Sequence, residues 1–399
     1  MSEQTARPER GAEGTYLHGT EDRGDCALVL TGGGARGAYQ VGILRYIARR
    51  WPNFNFPIIT GVSAGAINAA HLAQAHGTFS QAVDELCALW CELTPDRIFR
   101  VDVPALLANM GRWGLQLAGG GVRDSRVRGL MDTAPLWELL NEALAPVDGE
   151  LTGIDYNLHR GTLRAVAIGT TSYSTGQTII WVQGRNLQTW ERPSRRAVET
   201  RLRVEHVMAS AALPLFFPAV QIGDQWHGDG GIRLTAPLSP ALHLGAHKIL
   251  AVSSHYERSY DEADRPAVKG YPPPAQVIGV LMDAIFLDVV DQDVMRMERM
   301  NELLRRCSPQ ARDGMRVVEL MTFRPSRDLG QLSREHEPRL PRAFRLLTRG
   351  LGTRETSSPD VLSMMMFQED YVNRLIEIGE EDAEARHDDL AAFIESNGS

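Results

Sequence analysis

Two glycine-rich junctions near the start of the chain, each set between an apolar β-prone run and a helix-forming segment, constrain the fold more than any other feature. The first follows Cys26-Ala27-Leu28-Val29-Leu30, an unbroken apolar run bounded by Thr31, and reads Gly32-Gly33-Gly34-Ala35-Arg36-Gly37. The second follows Phe56-Pro57-Ile58-Ile59-Thr60 and reads Gly61-Val62-Ser63-Ala64-Gly65. A strand with no polar alternation suits a sheet covered on both faces. Between the junctions Tyr39, Ile43, Leu44, Ile47 and Ala48 form one helical stripe, and an apolar helix is expected over Ala64 to Ala75. Strand, helix, strand, helix with short connections predicts a parallel sheet between two helical layers.

A chain of 399 residues exceeds the size at which one core usually stops growing, so one large domain with elaborations, or two domains, is expected. Hydrophobic residues at 43% and charged residues at 23% exclude disordered and fibrous classes. A net charge of -8 argues against a dedicated nucleic-acid binder and against strong attraction to anionic lipid. Cys26, Cys87, Cys91 and Cys307 are too scattered for a disulfide framework, and no second close pair accompanies Cys87 and Cys91 to make a zinc site. Buried free thiols are expected instead. The N-terminal stretch has no apolar h-region, and no run reaches the roughly 20 apolar residues of a membrane span, so the expected location is cytoplasmic.

Residues 1–24 are polar and aperiodic and are expected to be a disordered leader. Glycines and arginines from Gly111 to Asp132 predict a loop, after which Thr133 and Pro135 open a helix running to about Leu144. Further strands are expected at Leu163 to Thr170 and Thr178 to Val182, joined as a hairpin, then at Ala219 to Ile222 and Ile249 to Ser253. Beyond Tyr271-Pro272-Pro273-Pro274, one amphipathic helix is expected over Ala275 to Arg306, and a strand over Arg316 to Thr322. A helix over Pro359 to Gly379, capped by Ser358, and a solvated acidic tail from Glu380 complete the reading.

The first junction matches G-x-G-x-x-G between strand and helix, the context of a dinucleotide fingerprint. That fingerprint wants a carboxylate at the end of the second strand, and Thr60-Gly61-Val62-Ser63 supplies none. What remains is a nest of N–H groups beside a helix N-terminus, suited to an oxyanion. The second junction fits G-x-S-x-G, where a nucleophile sits on a sharp strained turn and Gly61 and Gly65 let the backbone crowd around it. A third motif, His227-Gly228-Asp229-Gly230-Gly231, follows a candidate strand. Upstream of it, Ala209-Ser210-Ala211-Ala212-Leu213-Pro214 is a small-residue stretch that lets elements pack closely.

Taken in order, the Gly32 to Gly37 loop, Gly-x-Ser63-x-Gly, the small-residue segment and Asp229-Gly230-Gly231 resemble the patatin-like phospholipase family over about residues 25 to 255. The resemblance implies a three-layer α/β/α fold with a mostly parallel central sheet in residues 25–260, followed by a mostly helical C-terminal region, 261–399, packed on it. It implies Ser63 as nucleophile, Asp229 as its base in a Ser-Asp dyad, and an oxyanion hole on Gly32, Gly33, Gly34, Arg36 and Gly37, with Gly61, Gly65 and Gly230 in support. The activity implied is hydrolysis of fatty acyl esters of lipids through an acyl-enzyme, with no metal and no cofactor.

Three other readings compete. A general carboxylesterase or lysophospholipase would use the same dyad. A nucleotide-binding regulator would use the glycine loop, and a serine triad would recruit His227, His243, His247 or His255. Substrate entry from a lipid interface is expected by way of the Gly111 to Asp132 loop or of Met364, Met365, Met366 and Phe367, although a methionine run at helical spacing is more often core.

Overall fold

The computed structural model describes residues 25–100, 129–264, 271–272, 274–286, 288–336 and 360–396. The expected leader and residues 111–128 of the expected loop lie outside them, as does Ser358. Among the described residues ten strands form one sheet: β1 Cys26–Leu30, β2 Ile58–Val62, β3 Ala165–Ser172, β4 Thr178–Gly184, β5 Glu191–Arg192, β6 Arg195–Glu199, β7 Val220–Ile222, β8 Gln225–Asp229, β9 Lys248–Val252 and β10 Glu319–Phe323. The main path runs β10-β9-β1-β2-β3-β4-β6-β5, and β8 pairs with β3 and β7.

Strands β10, β9, β1, β2 and β3 run parallel, with Ala27 beside both Ile58 and Ile249. Their side chains alternate between two buried faces. Leu28 and Leu30 enter one core with Ile59 and Leu250, and Ala27 and Val29 enter the other with Ile58 and Ile249. Burial on both sides is why β1 carries no polar residue. Strand β3 then turns antiparallel to β4, as the hairpin reading predicts, and to β8. The chain builds outward from β1 to β2 on one side and returns to β9 on the other. That reversal leaves a crevice at the C-terminal ends of these strands, where open α/β sheets bind their ligands.

The helices used below are α1 Gly37–Arg50, α2 Ala64–Gln74, α3 Phe79–Cys91, α4 Ala134–Leu144, α5 Val204–Ser210, α6 Pro274–Phe286, α7 Asp288–Arg306, α8 Asp360–Met364, α9 Glu369–Ala385 and α10 His387–Glu395. Helix α3 opens on a capping box between Thr78 and Gln81. At α4 the expected cap differs. Thr133 is buried, its backbone lies outside the extended region a cap requires, and the Asp132 carboxylate accepts the Ala134 N–H at 3.0 Å instead.

The C-terminal region departs furthest from expectation. The helix expected over Ala275 to Arg306 is described as α6 and α7, with residue 287 outside the described residues. The helix expected from Pro359 to Gly379 is broken between Met364 and Glu369, giving α8 and α9. Glu380 does not begin a solvated tail. It pairs with Arg45 and Arg49, and the Asp382 carboxylate accepts the Tyr39 hydroxyl at 3.0 Å. Helix α9 lies across α1 at Gly42 and Gly379, where a Cβ on Gly42 would stand 2.9 Å from the Gly379 Cα. Leu390 and Phe393 of α10 are buried. Sequence periodicity cannot see such packing, because charges at the helix edges find partners on another element.

Candidate active site

The crevice is built from three turns that leave strand C-termini side by side. After β1 the chain passes through Gly33 at φ 142° and Gly34 at φ 58°, conformations that favour glycine. Side chains there would strike the Ser254 hydroxyl and the Met364 carbonyl. The loop is tied down through its carbonyls: Gly32 accepts from the Ser254 hydroxyl at 2.5 Å, Thr31 from Gln40 Nε2 at 2.8 Å, and Gly33 from the Arg36 N–H at 3.1 Å. Behind it a polar chain runs from Trp90 Nε1 to Asn68 Oδ1 at 2.7 Å and from Asn68 Nδ2 to Gln40 Oε1 at 2.9 Å. Among the described residues, none of these bonds uses the N–H groups of Gly32, Gly33 or Gly34. A Cβ on Gly32 would stand 3.6 Å from Ser63 Oγ, which places the loop backbone against that hydroxyl.

Ser63 joins β2 to α2 at φ 56°, ψ -129°, a strained backbone for a residue with a side chain. Gly61 and Gly65 flank it so closely that a Cβ on Gly61 would fall on the Gly65 carbonyl, and one on Gly65 on the Leu30 carbonyl. The Ser63 N–H donates to Ser210 Oγ at 2.9 Å. In the sequence Ser210 stands out only as one of a run of small residues; the structure sets its hydroxyl against the nucleophile turn.

Asp229 ends β8 and is fully buried. Its Oδ1 accepts the Gly231 N–H at 2.8 Å. Burial pushes the carboxyl up to about 7, while the Ser63 hydroxyl and the Gly231 N–H each favour the ionised form. Oδ2 is buried short of a full hydrogen bond, although the Ser63 hydroxyl stands near enough to act on the carboxyl. Gly230 lies so near β3 that a side chain there would meet the Gly169 carbonyl.

Arg36 stands elsewhere. Its guanidinium is buried, donates through Nε to the Ser363 hydroxyl at 2.6 Å and through Nη2 to the Asp360 carboxylate. Burial disfavours its charge, and Asp360 with Tyr371 and Asp283 more than offsets this. Arg36 therefore anchors the loop with its side chain rather than turning it toward Ser63. The candidate triad histidines are also engaged elsewhere. His227 Nδ1 is bonded to Thr170 Oγ1 at 3.1 Å, His243 stacks on Trp190, and His255 Nδ1 is bonded to the Asp291 carboxylate at 2.6 Å. His247 precedes β9, at the sheet end opposite the crevice. Among the described residues no three His, Cys, Asp or Glu side chains cluster as a metal site.

An apolar cleft, partly open to solvent, has Ser63 in its lining. Ile67, Trp90, Leu139, Leu213 and Phe217 line it together with Met364, Met365 and Phe367, and Ser63 brings its only lining hydroxyl among the described residues. The methionine run expected as an interfacial patch or as core is buried, and two of its residues form cleft wall. No helix among the described residues is long and apolar enough to cross a membrane.

The family model described as patatin-like phospholipase matches residues 28–242. Calcium-independent phospholipase A2-gamma of Rattus norvegicus and of Homo sapiens are each 25% identical over 232 residues, 57% of this chain and 27% of the relative. The chain thus spans 27% of the length of the curated relatives it matches. Among solved structures, human GIVD cytosolic phospholipase A2 is 12% identical with a TM-score of 0.48, covering 93% of this chain and 60% of that one. VipD from Legionella pneumophila is 12% identical with a TM-score of 0.37, covering 92% and 67%.

Proposed function

The chain belongs to the patatin-like phospholipase family, and on that footing we propose that it is a serine acyl hydrolase cleaving fatty acyl esters of lipids through a Ser63–Asp229 dyad. The observation that carries the reading is Ser63 on a strained turn, with a buried carboxyl on one side and an apolar cleft on the other.

The ester enters with its acyl chain in the cleft and its carbonyl over Ser63. Asp229, as carboxylate, takes the hydroxyl proton while Oγ forms its bond to the carbonyl carbon. Negative charge moves to the carbonyl oxygen, where N–H groups of the Gly32 to Gly34 loop hold it. Collapse breaks the bond to the alcohol oxygen, which leaves with the proton from Asp229. Water then attacks the acyl-enzyme, Asp229 again takes the proton and returns it to Ser63 Oγ, and the fatty acid departs.

A dyad is preferred to a triad because each candidate histidine has another partner or another place. A general carboxylesterase would use the same residues, and the apolar lining of the cleft favours an apolar acyl chain. The nucleotide reading is disfavoured, since the glycine loop faces a serine hydroxyl rather than open space for a pyrophosphate.

A fluorophosphonate probe tests the nucleophile and should label Ser63 in the wild type and leave Ser63→Ala unlabelled. Modification of another serine would refute the assignment. With p-nitrophenyl esters and defined phospholipids as substrates, His227→Ala, His243→Ala, His247→Ala and His255→Ala should each keep most activity. A fall of roughly 10⁴-fold in any one, with the fold intact, would make that histidine the base.

A further inference from the structure

Both members of the dyad are held by one short segment at the end of α5. The Ser210 hydroxyl has a single proton, and it is committed to the Gly169 carbonyl of β3 at 2.7 Å. Its oxygen is then left as an acceptor, which receives the Ser63 N–H at 2.9 Å. Two residues on, the Ala212 carbonyl accepts the Asp229 N–H at 3.1 Å. Strand β3 closes the arrangement from below. Thr170 is the cross-strand partner of Asp229, the Thr171 hydroxyl donates to the Asp229 carbonyl at 2.8 Å, and Gly230 leaves no room for a side chain against the Gly169 carbonyl.

We propose that Ser210 is a positioning residue for acyl transfer: its hydroxyl, bridging the Ser63 N–H to the Gly169 carbonyl, sets the nucleophile turn at its working distance from Asp229. The inference rests on the dyad reading above. The physical need is clear. Ser63 occupies a backbone conformation that is costly for a residue with a side chain and persists only where its surroundings over-determine it. Its N–H is buried, so without an acceptor the turn would relax toward water or toward another carbonyl. The acceptor is tied to β3, the strand that pairs with β8 and its terminal Asp229, so strain on the nucleophile turn is referred through that pairing to the position of the base. Ser210 is fully buried and takes no part in lining the cleft, unlike Ala211 and Leu213 beside it. Its loss should therefore disturb the chemical step and spare the binding of the acyl chain.

The test is steady-state kinetics of Ser210→Ala on a long-chain p-nitrophenyl ester, well below its melting temperature, with fluorophosphonate labelling rates measured in parallel. Displacement of a reacting group by a fraction of an ångström to an ångström predicts a fall in kcat of roughly 10- to 100-fold with KM nearly unchanged. The labelling rate should fall in step, because it reports the same attack by Ser63 Oγ. If Ser210→Ala does not fold, Ser210→Cys carries the test, since a thiol of similar shape is only a weak donor and acceptor. There kcat should fall several-fold at unchanged KM. A folded variant of either kind with wild-type kcat, or with a change confined to KM, overturns the proposal. Labelling that survives in Ser63→Ala would instead overturn the dyad reading itself, so the two failures are distinguishable.

Discussion

The Arg36 guanidinium donates to the Ser363 hydroxyl at 2.6 Å across 327 residues of sequence. Its other arm reaches the Asp360 carboxylate. The glycine loop over Ser63 is therefore locked to α8, the same helix whose last residue, Met364, joins Met365 and Phe367 in the wall of the cleft. The glycine loop and the cleft wall share one buried ion pair.

Breaking that pair should be costly. Asp360→Ala leaves Arg36 buried without its main counter-charge, a change typically worth about 3–5 kcal/mol. Asp283 softens it: burial and the neighbouring Asp360 push its carboxyl up to about 8, and with Asp360 gone it can ionise in its place. We expect a loss near the lower end, about 3 kcal/mol, by denaturant unfolding. Asp360→Ala combined with Asp283→Asn should lose clearly more. Equal losses would deny Asp283 that role.

Activity should rise with pH through about 7, because only the ionised Asp229 can accept the Ser63 proton. Stability runs the other way. A carboxyl held higher in the folded chain than in the unfolded one contributes stability at low pH that is lost as pH rises from about 4 through about 7. Asp229→Asn has no charge to bury. It should be inactive yet more stable than wild type at pH 8, by roughly a few kcal/mol, with the difference vanishing toward pH 4. A constant difference across that range would contradict the assignment.

Ser63→Gly should lose all turnover and gain stability. Relief of strain at φ 56° contributes about 1–3 kcal/mol, and the extra freedom of glycine in the unfolded chain offsets about 0.5–1 of it. Ser63→Ala keeps a Cβ and so keeps the strain. Thermal unfolding of the two variants side by side should rank Ser63→Gly above Ser63→Ala.

The acyl cleft should be shortened from within. Ala143 is a small residue in its wall, and Ala143→Trp fills space that a long chain would occupy. We expect kcat/KM for long-chain p-nitrophenyl esters to fall about 10-fold or more while short-chain esters are spared. A uniform loss across chain lengths would mean that the acyl group lies elsewhere.

Much of the candidate site is legible in the sequence at particular residues. Ser63 was marked by the glycines around it, Asp229 by the glycines after it, and both lie where a strand ends, so local chemistry announced them. Arg36 was not legible in the same way: its motif points to the oxyanion loop, but its side chain follows buried charge, and nothing near position 36 in sequence names Asp360. Ser210 and Ser254 carried no signal beyond being small. Each acts because a strand or helix from a distant part of the chain ends beside the loop.

What the sequence determined by itself is what short-range rules govern: the two-faced strand β1, the tight turns that only glycine permits, the strained serine, and the order of strands and helices that makes a parallel sheet between helices. These depend on neighbours within a few residues, where backbone sterics and apolar periodicity decide. Only the tertiary structure decided that α8 and α9 are separate helices, that the acidic tail is packed, and that Met364, Met365 and Phe367 wall the cleft. Those outcomes depend on partners hundreds of residues away, and the energy of a buried ion pair or of two helices crossing at Gly42 and Gly379 exists only once the chain has brought them together.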